Sequence, residues 1–211
     1  MTQQPWNSHY TRNKSQLLYP DENLVRMLLS SYPEDARSGI RACDIGSGSG
    51  RHATLLRSLG FHTVISTDIS PNACRMTRRL GISSVECSTL HLPFGDHSFD
   101  LAVCWGSLHY CTASDTKLQI MELNRVLTRG GIILGTLRSE NDTFFDRIRQ
   151  TGENTYLVKT RDLKECEVTF FTPDDLTSLF QGFTSLSYGI MERTPLGETG
   201  RISHLFYKAV K

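Results

Sequence analysis

The chain has 211 residues, which is enough for one domain with a full hydrophobic core. Hydrophobic residues make up 38% and charged residues 21%, a composition typical of soluble globular proteins. The formal net charge is only +1, so no basic stripe favours nucleic acid as a partner. Because there is no membrane-length apolar run and no secretory signal pattern, we expect a cytoplasmic protein without a membrane partner.

The six cysteines include no Cys-x-x-Cys pair. Cys43, Cys87 and Cys104 fall in or beside predicted buried strands, so we interpret them as small apolar core residues in a reducing compartment. Their irregular spacing predicts no metal site.

Strands and helices alternate between residues 20 and 137, which predicts a parallel sheet covered by helices on both faces. A polar and aromatic segment comes first, and Pro20-Asp21-Glu22 then opens a helix with apolar residues at helical spacing. Further helices are predicted over residues 50–59, 71–80 and 115–127. Strands are predicted over residues 40–45, 63–67, 83–86, 99–105 and 132–137.

The alternation loosens after residue 138. A helix is predicted over residues 144–150, and residues 151–170 are polar and irregular. Thr172-Pro173 is a strong helix start for a helix that runs to Phe180. Two late strands, predicted to form a hairpin at the sheet edge, span residues 183–191 and 202–210.

A glycine-rich turn follows the first strand in Ala-Cys-Asp-Ile-Gly-Ser-Gly-Ser-Gly, residues 42–50. Gly46, Gly48 and Gly50 lie between a buried strand and a helix. Without side chains, they let the backbone turn tightly and approach a ligand closely. The helix N-terminus behind them favours a carboxylate or a phosphate, so the turn predicts a nucleotide-cofactor loop.

Two carboxylates indicate which cofactor is bound. The spacing is Gly-x-Gly-x-Gly rather than the Gly-x-Gly-x-x-Gly of dinucleotide sites, and Asp44 just before it repels a pyrophosphate but attracts an ammonium group. Asp68, at the end of the second strand, is placed to accept two ribose hydroxyls. The alternative role for Asp68 is a cap for the helix that begins at Ser70. S-adenosylmethionine has an amino-acid tail, a sulfonium charge and no phosphate, so it fits best.

Four stretches carry a family resemblance, and they lie at residues 43–51, 67–71, 92–102 and 122–131. With them the chain resembles a class I (Rossmann-like) S-adenosylmethionine-dependent methyltransferase of the small-molecule type. The resemblance implies a three-layer α/β fold with a seven-stranded sheet, mostly parallel, with a C-terminal antiparallel hairpin strand. It also implies S-adenosyl-L-methionine as cofactor and in-line methyl transfer to a nucleophilic O, N or C of a small-molecule acceptor.

By the same resemblance, Asp44 and the 46–50 loop, including Ser47, hold the methionine part of the cofactor. Asp68 and Ile69 hold the ribose and the adenine edge. The family often has an acidic residue for the adenine amine where this chain has Ser88. The Ser88 hydroxyl or the Thr89 and Leu90 backbone could substitute, and Glu86 is the alternative if the register slips.

The end of the fourth strand is expected to face the transferring methyl group. Cys104 and Trp105 lie there, and His109 follows as the candidate general base, because a histidine accepts a proton near neutral pH. The alternative for His109 is a residue that only shapes the pocket. Tyr110 and Trp105 either line the pocket or pack in the core. Asp100, at the opposite end of the strand, is interpreted as structural.

The N-terminal aromatic residues Tyr10 and Tyr19, with Trp6, either form a lid over the cofactor or belong to a disordered tail. His52, after the glycine loop, either reaches the cofactor carboxylate or faces solvent. Basic residues in the segment 138–170 either bind an acidic substrate or form a solvated face. These residues are Arg138, Arg147, Arg149, Lys159 and Arg161.

We expect a single domain built from four segments. They are an N-terminal cap or lid (residues 1–35), a cofactor-binding core (40–137), a substrate-side insert (138–170) and a late helix with a sheet-closing hairpin (171–211).

Three other functions were weighed against a small-molecule methyltransferase. A tRNA or protein methyltransferase is one, although the near-neutral charge counts against RNA. An NAD-dependent dehydrogenase is disfavoured by the loop spacing and by Asp44. A non-catalytic adenosylmethionine-binding partner subunit stays open, because an intact binding loop does not prove turnover.

Overall fold

A computed structural model describes residues 3–11, 17–159 and 165–211 of the chain. Two α-helices and a short 3-10 helix (Glu34–Gly39) precede the first strand. Strands and helices then alternate as far as residue 138, as the sequence predicts, except that two strands follow each other between residues 83 and 104. The helices are α1 (Gln3–His9), α2 (Glu22–Ser31), α3 (Arg51–Ser58), α4 (Pro71–Arg79), α5 (Ala113–Val126) and α6 (Pro173–Leu179). The strands are β1 (Arg41–Ile45), β2 (Thr63–Asp68), β3 (Ser83–Glu86), β4 (Phe99–Cys104), β5 (Leu127–Arg138), β6 (Asp146–Gly152), β7 (Thr155–Lys159), β8 (Cys166–Thr169), β9 (Ser185–Arg193) and β10 (Ile202–Val210).

The main sheet has seven strands in the order β3-β2-β1-β4-β5-β10-β9. The pairs from β3 through to β5 are parallel, and β10 runs antiparallel to both β5 and β9. The predicted fold class, a mostly parallel seven-stranded sheet closed by a C-terminal antiparallel hairpin, is confirmed.

Hydrophobic side chains cover both faces of this sheet, because neighbouring residues of a strand point to opposite sides. In β4, Leu101 and Val103 join the apolar cluster under α2 and α3, whereas Ala102 and Cys104 join the cluster under α5 and α6. Both clusters are almost fully buried. The layers therefore hold the strand ends rigidly, and the loops at the carboxyl edge are the parts free to bind a ligand.

Asp100 ties the opposite edge of the sheet together. Its carboxylate accepts hydrogen bonds from the Arg41 backbone N–H at 3.0 Å, the Arg41 guanidinium at 2.9 and 3.0 Å, and the Thr128 hydroxyl at 3.1 Å. The hydrogen bonds from Arg41 lower the pKa of Asp100. These contacts join β1, β4 and β5 at the end remote from the glycine loop.

The segment after β5 differs from the sequence prediction. The helix predicted over residues 144–150 is wrong, because the chain forms β6 there, and the stretch predicted as irregular contains β7 and β8. These strands form a second, three-stranded antiparallel sheet in the order β6-β7-β8. Every residue of β6 is exposed, so no period-2 hydrophobic pattern signals a strand, and pairing with β7 decides its conformation.

Arg129, Gly130 and Gly131 lie inside β5, where the pairing with β4 shifts register and Gly130 has a φ of 74°. Glycines inside a strand often mark such a local irregularity, and here the strand continues past it. Within the described ranges, no helix is long and apolar enough to cross a membrane.

Candidate functional site

A cavity lies at the carboxyl edge of the main sheet and is partly open to solvent. Gly46 after β1, Asp68 at the end of β2, Ser88 after β3 and Ser107 after β4 all contribute to its wall. Residues of α1 and α5 close its sides. Its position is the one at which open α/β sheets bind small ligands.

The glycine loop has a backbone that side chains would obstruct. Gly46, Gly48 and Gly50 have φ values of 67°, 54° and 82°, the left-handed region that glycine adopts most easily. A Cβ atom on Gly46 would lie 2.5 Å from the Ser107 Cβ, and one on Gly48 would lie 2.5 Å from the Tyr10 hydroxyl. The loop therefore needs glycine both for its turn and for the close approach of its neighbours.

Asp68 links the glycine loop to the start of α4. Its Oδ2 accepts a hydrogen bond from the Gly48 N–H at 2.9 Å, and its Oδ1 accepts one from the Ser70 N–H at 2.8 Å. Ser70 caps α4 with its own hydroxyl, which accepts from the Ala73 N–H. Burial raises the pKa of Asp68, and backbone N–H groups oppose that rise. Each carboxylate oxygen keeps acceptor capacity on the cavity wall.

Asp44 is buried beneath the loop rather than on the cavity wall. Its Oδ2 accepts a hydrogen bond from the Ala53 N–H of α3 at 3.0 Å. Burial raises the pKa of Asp44 to about 7, against the lowering effect of that hydrogen bond and of Arg51. Ser47 is also buried, and its N–H donates to the Thr67 carbonyl at 2.9 Å.

The wall beside β3 contains Ser88 and Thr89. Leu90 does not line the cavity, and its N–H donates to the Ser88 hydroxyl oxygen at 3.3 Å. Glu86 is exposed and also lies off the wall.

The segment after β4 directs some of its side chains toward the cavity and others into the core. Ser107 and Tyr110 line it. Cys104 and Trp105 do not, because they belong to the apolar clusters on the two faces of the sheet. His109 is fully buried behind Tyr110, with its ring centroid 4.4 Å from the Tyr110 ring and 5.8 Å from the His204 ring. Burial, with the charge of Arg138, lowers the pKa of His109 well below its usual value.

Helix α1 lies across the cavity. Trp6 and Tyr10 line it, and the Trp6 ring meets the Tyr110 ring edge-on at 4.8 Å. Asn7 attaches the helix to α4, because its Oδ1 accepts from the Asn72 N–H at 3.1 Å and its carbonyl accepts from the Asn72 Nδ2 at 2.9 Å. Burial and the nearby Asp68 raise the pKa of the Tyr10 hydroxyl.

Tyr19 has a different position from Tyr10. Its side chain is 82% exposed and does not line the cavity, although its carbonyl accepts a hydrogen bond from Arg51 at 3.0 Å. Of the two tyrosines assigned to a lid, the structure therefore brings only Tyr10 to the cavity.

Residues 43–135 match the family model described as a methyltransferase domain. The probable tRNA methyltransferase 9B of Mus musculus is 28% identical over 102 residues, which cover 48% of this chain and 22% of that protein. The malonyl-[acyl-carrier protein] O-methyltransferase of Erwinia billingiae is 33% identical over 118 residues, covering 54% and 45%. This chain thus spans between about a fifth and a half of the curated relatives it matches.

The chain is also similar to the 1,6-didemethyltoxoflavin-N1-methyltransferase of Burkholderia thailandensis, whose crystal structure holds 1,6-didemethyltoxoflavin and S-adenosylhomocysteine. The two share 17% identity at a TM-score of 0.65, over 97% of this chain and 84% of that one. Residues 43–135 are thus similar to a methyltransferase domain, and the chain has the fold of the class I S-adenosylmethionine-dependent methyltransferases.

S-adenosylmethionine is the cofactor of this methyltransferase family. The cavity fits such a molecule on two counts. Gly46 presents bare backbone on the wall, and among the described residues the buried Gln119 Oε1 and Ser107 Oγ on the wall have no hydrogen-bond partner. A ligand with donors and acceptors along its length satisfies such groups.

The second sheet supports the methyltransferase cavity from behind. The Thr169 N–H of β8 donates to the His109 carbonyl at 2.9 Å, and its hydroxyl donates to the Cys111 carbonyl at 2.6 Å. These bonds flank Tyr110, which also packs against the apolar cluster of the insert. The insert thereby fixes one wall of the cavity.

The basic residues of the insert that the structure describes do not line the cavity. Arg138 is buried and forms an ion pair with Asp142 at 2.8 Å. Arg147 stacks on the Phe170 ring at 4.0 Å. Arg149 and Lys159 are exposed, and Arg161 lies outside the described residues.

The structure differs from the sequence analysis at two positions. His52 fits neither of its predicted alternatives, and Gln119 was not predicted to belong to the site. His52 is buried next to the Trp105 ring, so it neither reaches the cavity nor faces solvent, and burial lowers its pKa to about 3. Gln119 lines the cavity and was not predicted as a site residue. The signal for Gln119 is a polar residue in line with the buried face of α5, between Thr116 and Leu123.

Proposed function

We propose that this protein transfers a methyl group from S-adenosylmethionine to a small, uncharged acceptor held between Trp6, Tyr110 and Ser107. The observation that carries the proposal is the cavity at the carboxyl edge of the sheet, with the glycine loop as its floor and α1 across it. Bound adenosylmethionine would supply an electrophilic methyl group on its sulfonium. The chain must then bind, orient the acceptor and exclude water.

Three parts of the chain hold the cofactor in this proposal. Asp68 accepts the two ribose hydroxyls with the lone pairs that Gly48 and Ser70 leave free. The loop glycines leave room for the methionine part. Asp44, which is buried beneath the loop, attracts the ammonium group of that part electrostatically without contacting it. Ile69 packs against the ribose and the adenine edge.

An uncharged acceptor is supported by the charges around the cavity. Among its described wall residues, Asp68 is the only Asp or Glu and there is no Lys, Arg or His, so a carboxylate acceptor would have no counter-charge there. Aromatic rings at Trp6 and Tyr110 favour a planar or apolar acceptor.

His109 acts through packing in this proposal. Its ring lies behind Tyr110, off the cavity wall, and its low pKa keeps it neutral. We therefore assign it to the alternative role of shaping the pocket. Of the N-terminal segment, α1 and the turn at Tyr10 form the lid, whereas α2 packs on the sheet. Residues 138–170 shape the acceptor side, and residues 171–211 close the sheet.

The test is a transfer assay with radioactive methyl on adenosylmethionine and separate acceptor pools. The pools are phenols, N-heterocycles and amines, small carboxylates, and bulk tRNA. We expect label in a small uncharged acceptor, little in carboxylates and none in tRNA. Asp68→Ala should abolish transfer, and Asp96→Ala, the same change at an exposed carboxylate on Arg125, should not.

Each other outcome identifies a different function. Label in tRNA alone would replace the small-molecule proposal with an RNA methyltransferase, in keeping with the similarity to the mouse protein. Tight binding of S-adenosylhomocysteine with no label in any pool, including a denatured-protein pool, would support a non-catalytic partner subunit.

A further inference from the structure

Gln119 is a buried amide on the cavity wall that the proposed roles above leave unused. It lies on the inward face of α5 with 3% of its surface exposed. Its neighbours on that face include Ile120 and Leu123, which pack in the core. A buried amide among such residues needs hydrogen-bond partners for both of its ends.

The neighbours of Gln119 fix which end of the amide is satisfied. Its Nε2 donates to the Cys111 Sγ at 3.3 Å. The Cys111 thiol donates its own hydrogen to the Leu108 carbonyl at 3.2 Å, so the sulfur faces Gln119 as an acceptor. The amide nitrogen therefore belongs on that side. The Oε1 has no hydrogen-bond partner among the described residues.

The position of α5 places this oxygen near the β3 side of the cavity. One turn further along the helix, the Glu122 carboxylate accepts from the Leu92 N–H at 2.8 Å, and Arg125 donates to the Leu92 carbonyl. Because residues three apart share a helix face, Gln119 lies along the segment that leads back from Leu92 to Ser88. Both Gln119 and Ser88 line the cavity.

Ser88 is a weak substitute for the acidic residue that the family often has at this place. Its hydroxyl oxygen already accepts from the Leu90 N–H, and the same bond removes that backbone N–H from use. The cavity therefore lacks a carboxylate at this position and has a free amide oxygen from a different element.

We infer that the Gln119 Oε1 accepts a hydrogen bond from the exocyclic amine of the adenine ring, so that α5, and not the loop after β3, selects the base. This inference rests on the proposed function, since it concerns the same cofactor. An amide oxygen is neutral, so the contact does not depend on pH. It distinguishes a 6-amino from a 6-oxo purine, because the 6-oxo group presents a second acceptor to Oε1.

The experiment compares S-adenosyl-L-homocysteine with S-inosyl-L-homocysteine, which differ at that purine position, by calorimetric titration. The wild-type protein should bind the inosyl compound about 10- to 100-fold more weakly, the effect of a buried acceptor left unpaired. Turning the amide over would lose its hydrogen bond to Cys111 and set the oxygen against the thiol sulfur.

Gln119→Leu should lower the affinity for S-adenosyl-L-homocysteine, so that the affinities for the two compounds become similar. Gln119→Glu, which keeps an acceptor oxygen, should restore the preference. Gln150→Leu makes the same change at an exposed glutamine of β6 and should leave both affinities unchanged. If Gln119→Leu does not fold, Gln119→Met, which keeps the length of the side chain and removes the acceptor oxygen, makes the same comparison.

Equal wild-type affinities for the two compounds would overturn the role of Gln119 and leave the proposed function intact. The role of Gln119 would also be overturned if Ser88→Ala loses the preference for the adenosyl compound while Gln119→Leu keeps it. The Ser88 hydroxyl would then be the group that selects the base. Failure of the wild-type protein to bind S-adenosyl-L-homocysteine would overturn the proposed function, and this inference with it.

Discussion

Replacing Gly48 by alanine should displace Tyr10, and with it the lid formed by α1 and Tyr10, although no lid residue is changed. The new Cβ would lie 2.5 Å from the Tyr10 hydroxyl oxygen and 3.1 Å from its Cζ, where ordinary contact begins at 3.4 Å. Tyr10 must therefore move by about 0.9 Å, the difference between 3.4 and 2.5 Å. Because Tyr10 belongs to the turn that follows α1, the displacement shifts the wall that Trp6 and Tyr10 form together.

The variant has two separable effects. An alanine at a left-handed φ costs about 1 to 2 kcal/mol of stability wherever it occurs. Partial loss of a buried aromatic contact costs about 1 to 2 kcal/mol more, which corresponds to roughly 5- to 30-fold in cofactor affinity. Gly81→Ala is the matched control, because Gly81 has a φ of 75° and nothing within 4 Å of a Cβ.

The assay is calorimetric titration with S-adenosylhomocysteine, with urea unfolding measured on the same samples. Both variants should lose similar stability from the backbone, but only Gly48→Ala should lose affinity. Combining it with Tyr10→Phe removes the closest atom and should recover part of the affinity. Equal wild-type-like affinities in Gly48→Ala and Gly81→Ala would refute the idea that Tyr10 closes on the loop.

Three further predictions concern charge. Asp68→Ala should weaken S-adenosylhomocysteine binding by about 1 to 3 kcal/mol, as for a lost buried hydrogen-bonded group, whereas unchanged affinity in titration would reject its ribose role. Since burial raises the pKa of Asp44 to about 7, and a bound ammonium favours its ionised form, affinity should rise about tenfold from pH 6 to pH 8. A flat profile, or the same rise in Asp44→Asn, would contradict this. Burial lowers the pKa values of His52 and His109, so both are neutral in the folded protein and take up protons on unfolding. The free energy of unfolding, measured in urea, should therefore decrease as the pH falls below about 6.5. His109→Gln should reduce the slope of that decrease by up to about 1.4 kcal/mol per pH unit. An unchanged slope would show that His109 is not buried in neutral form.

The parts of the fold that the sequence predicted are those whose conformation is set by residues close together in the chain. Gly46, Gly48 and Gly50 mark a loop whose φ values only glycine adopts easily, and Ser70-Pro71 starts a helix by its own capping geometry. The strand β3 at Ser83–Glu86 agrees with its prediction because it is short, β-compatible and bounded by Gly81.

The missed parts depend on tertiary contacts. β6 is exposed along its whole length, so its sequence has no periodicity, and only β7 beside it makes it a strand. For His109 and Trp105 the sequence left a packing role open beside a role in the site, and the turn after β4 directs both side chains into the protein. Gln119 joins the cavity from a helix distant in sequence from the glycine loop. No spacing rule connects such positions.

The most direct test of the central claim is a pair of titrations on the wild-type protein, one with S-adenosylhomocysteine and one with NADH. We expect one S-adenosylhomocysteine site per chain, weakened by Asp68→Ala and unaffected by Asp96→Ala, with no NADH binding. Tight binding of NADH without binding of S-adenosylhomocysteine would contradict it.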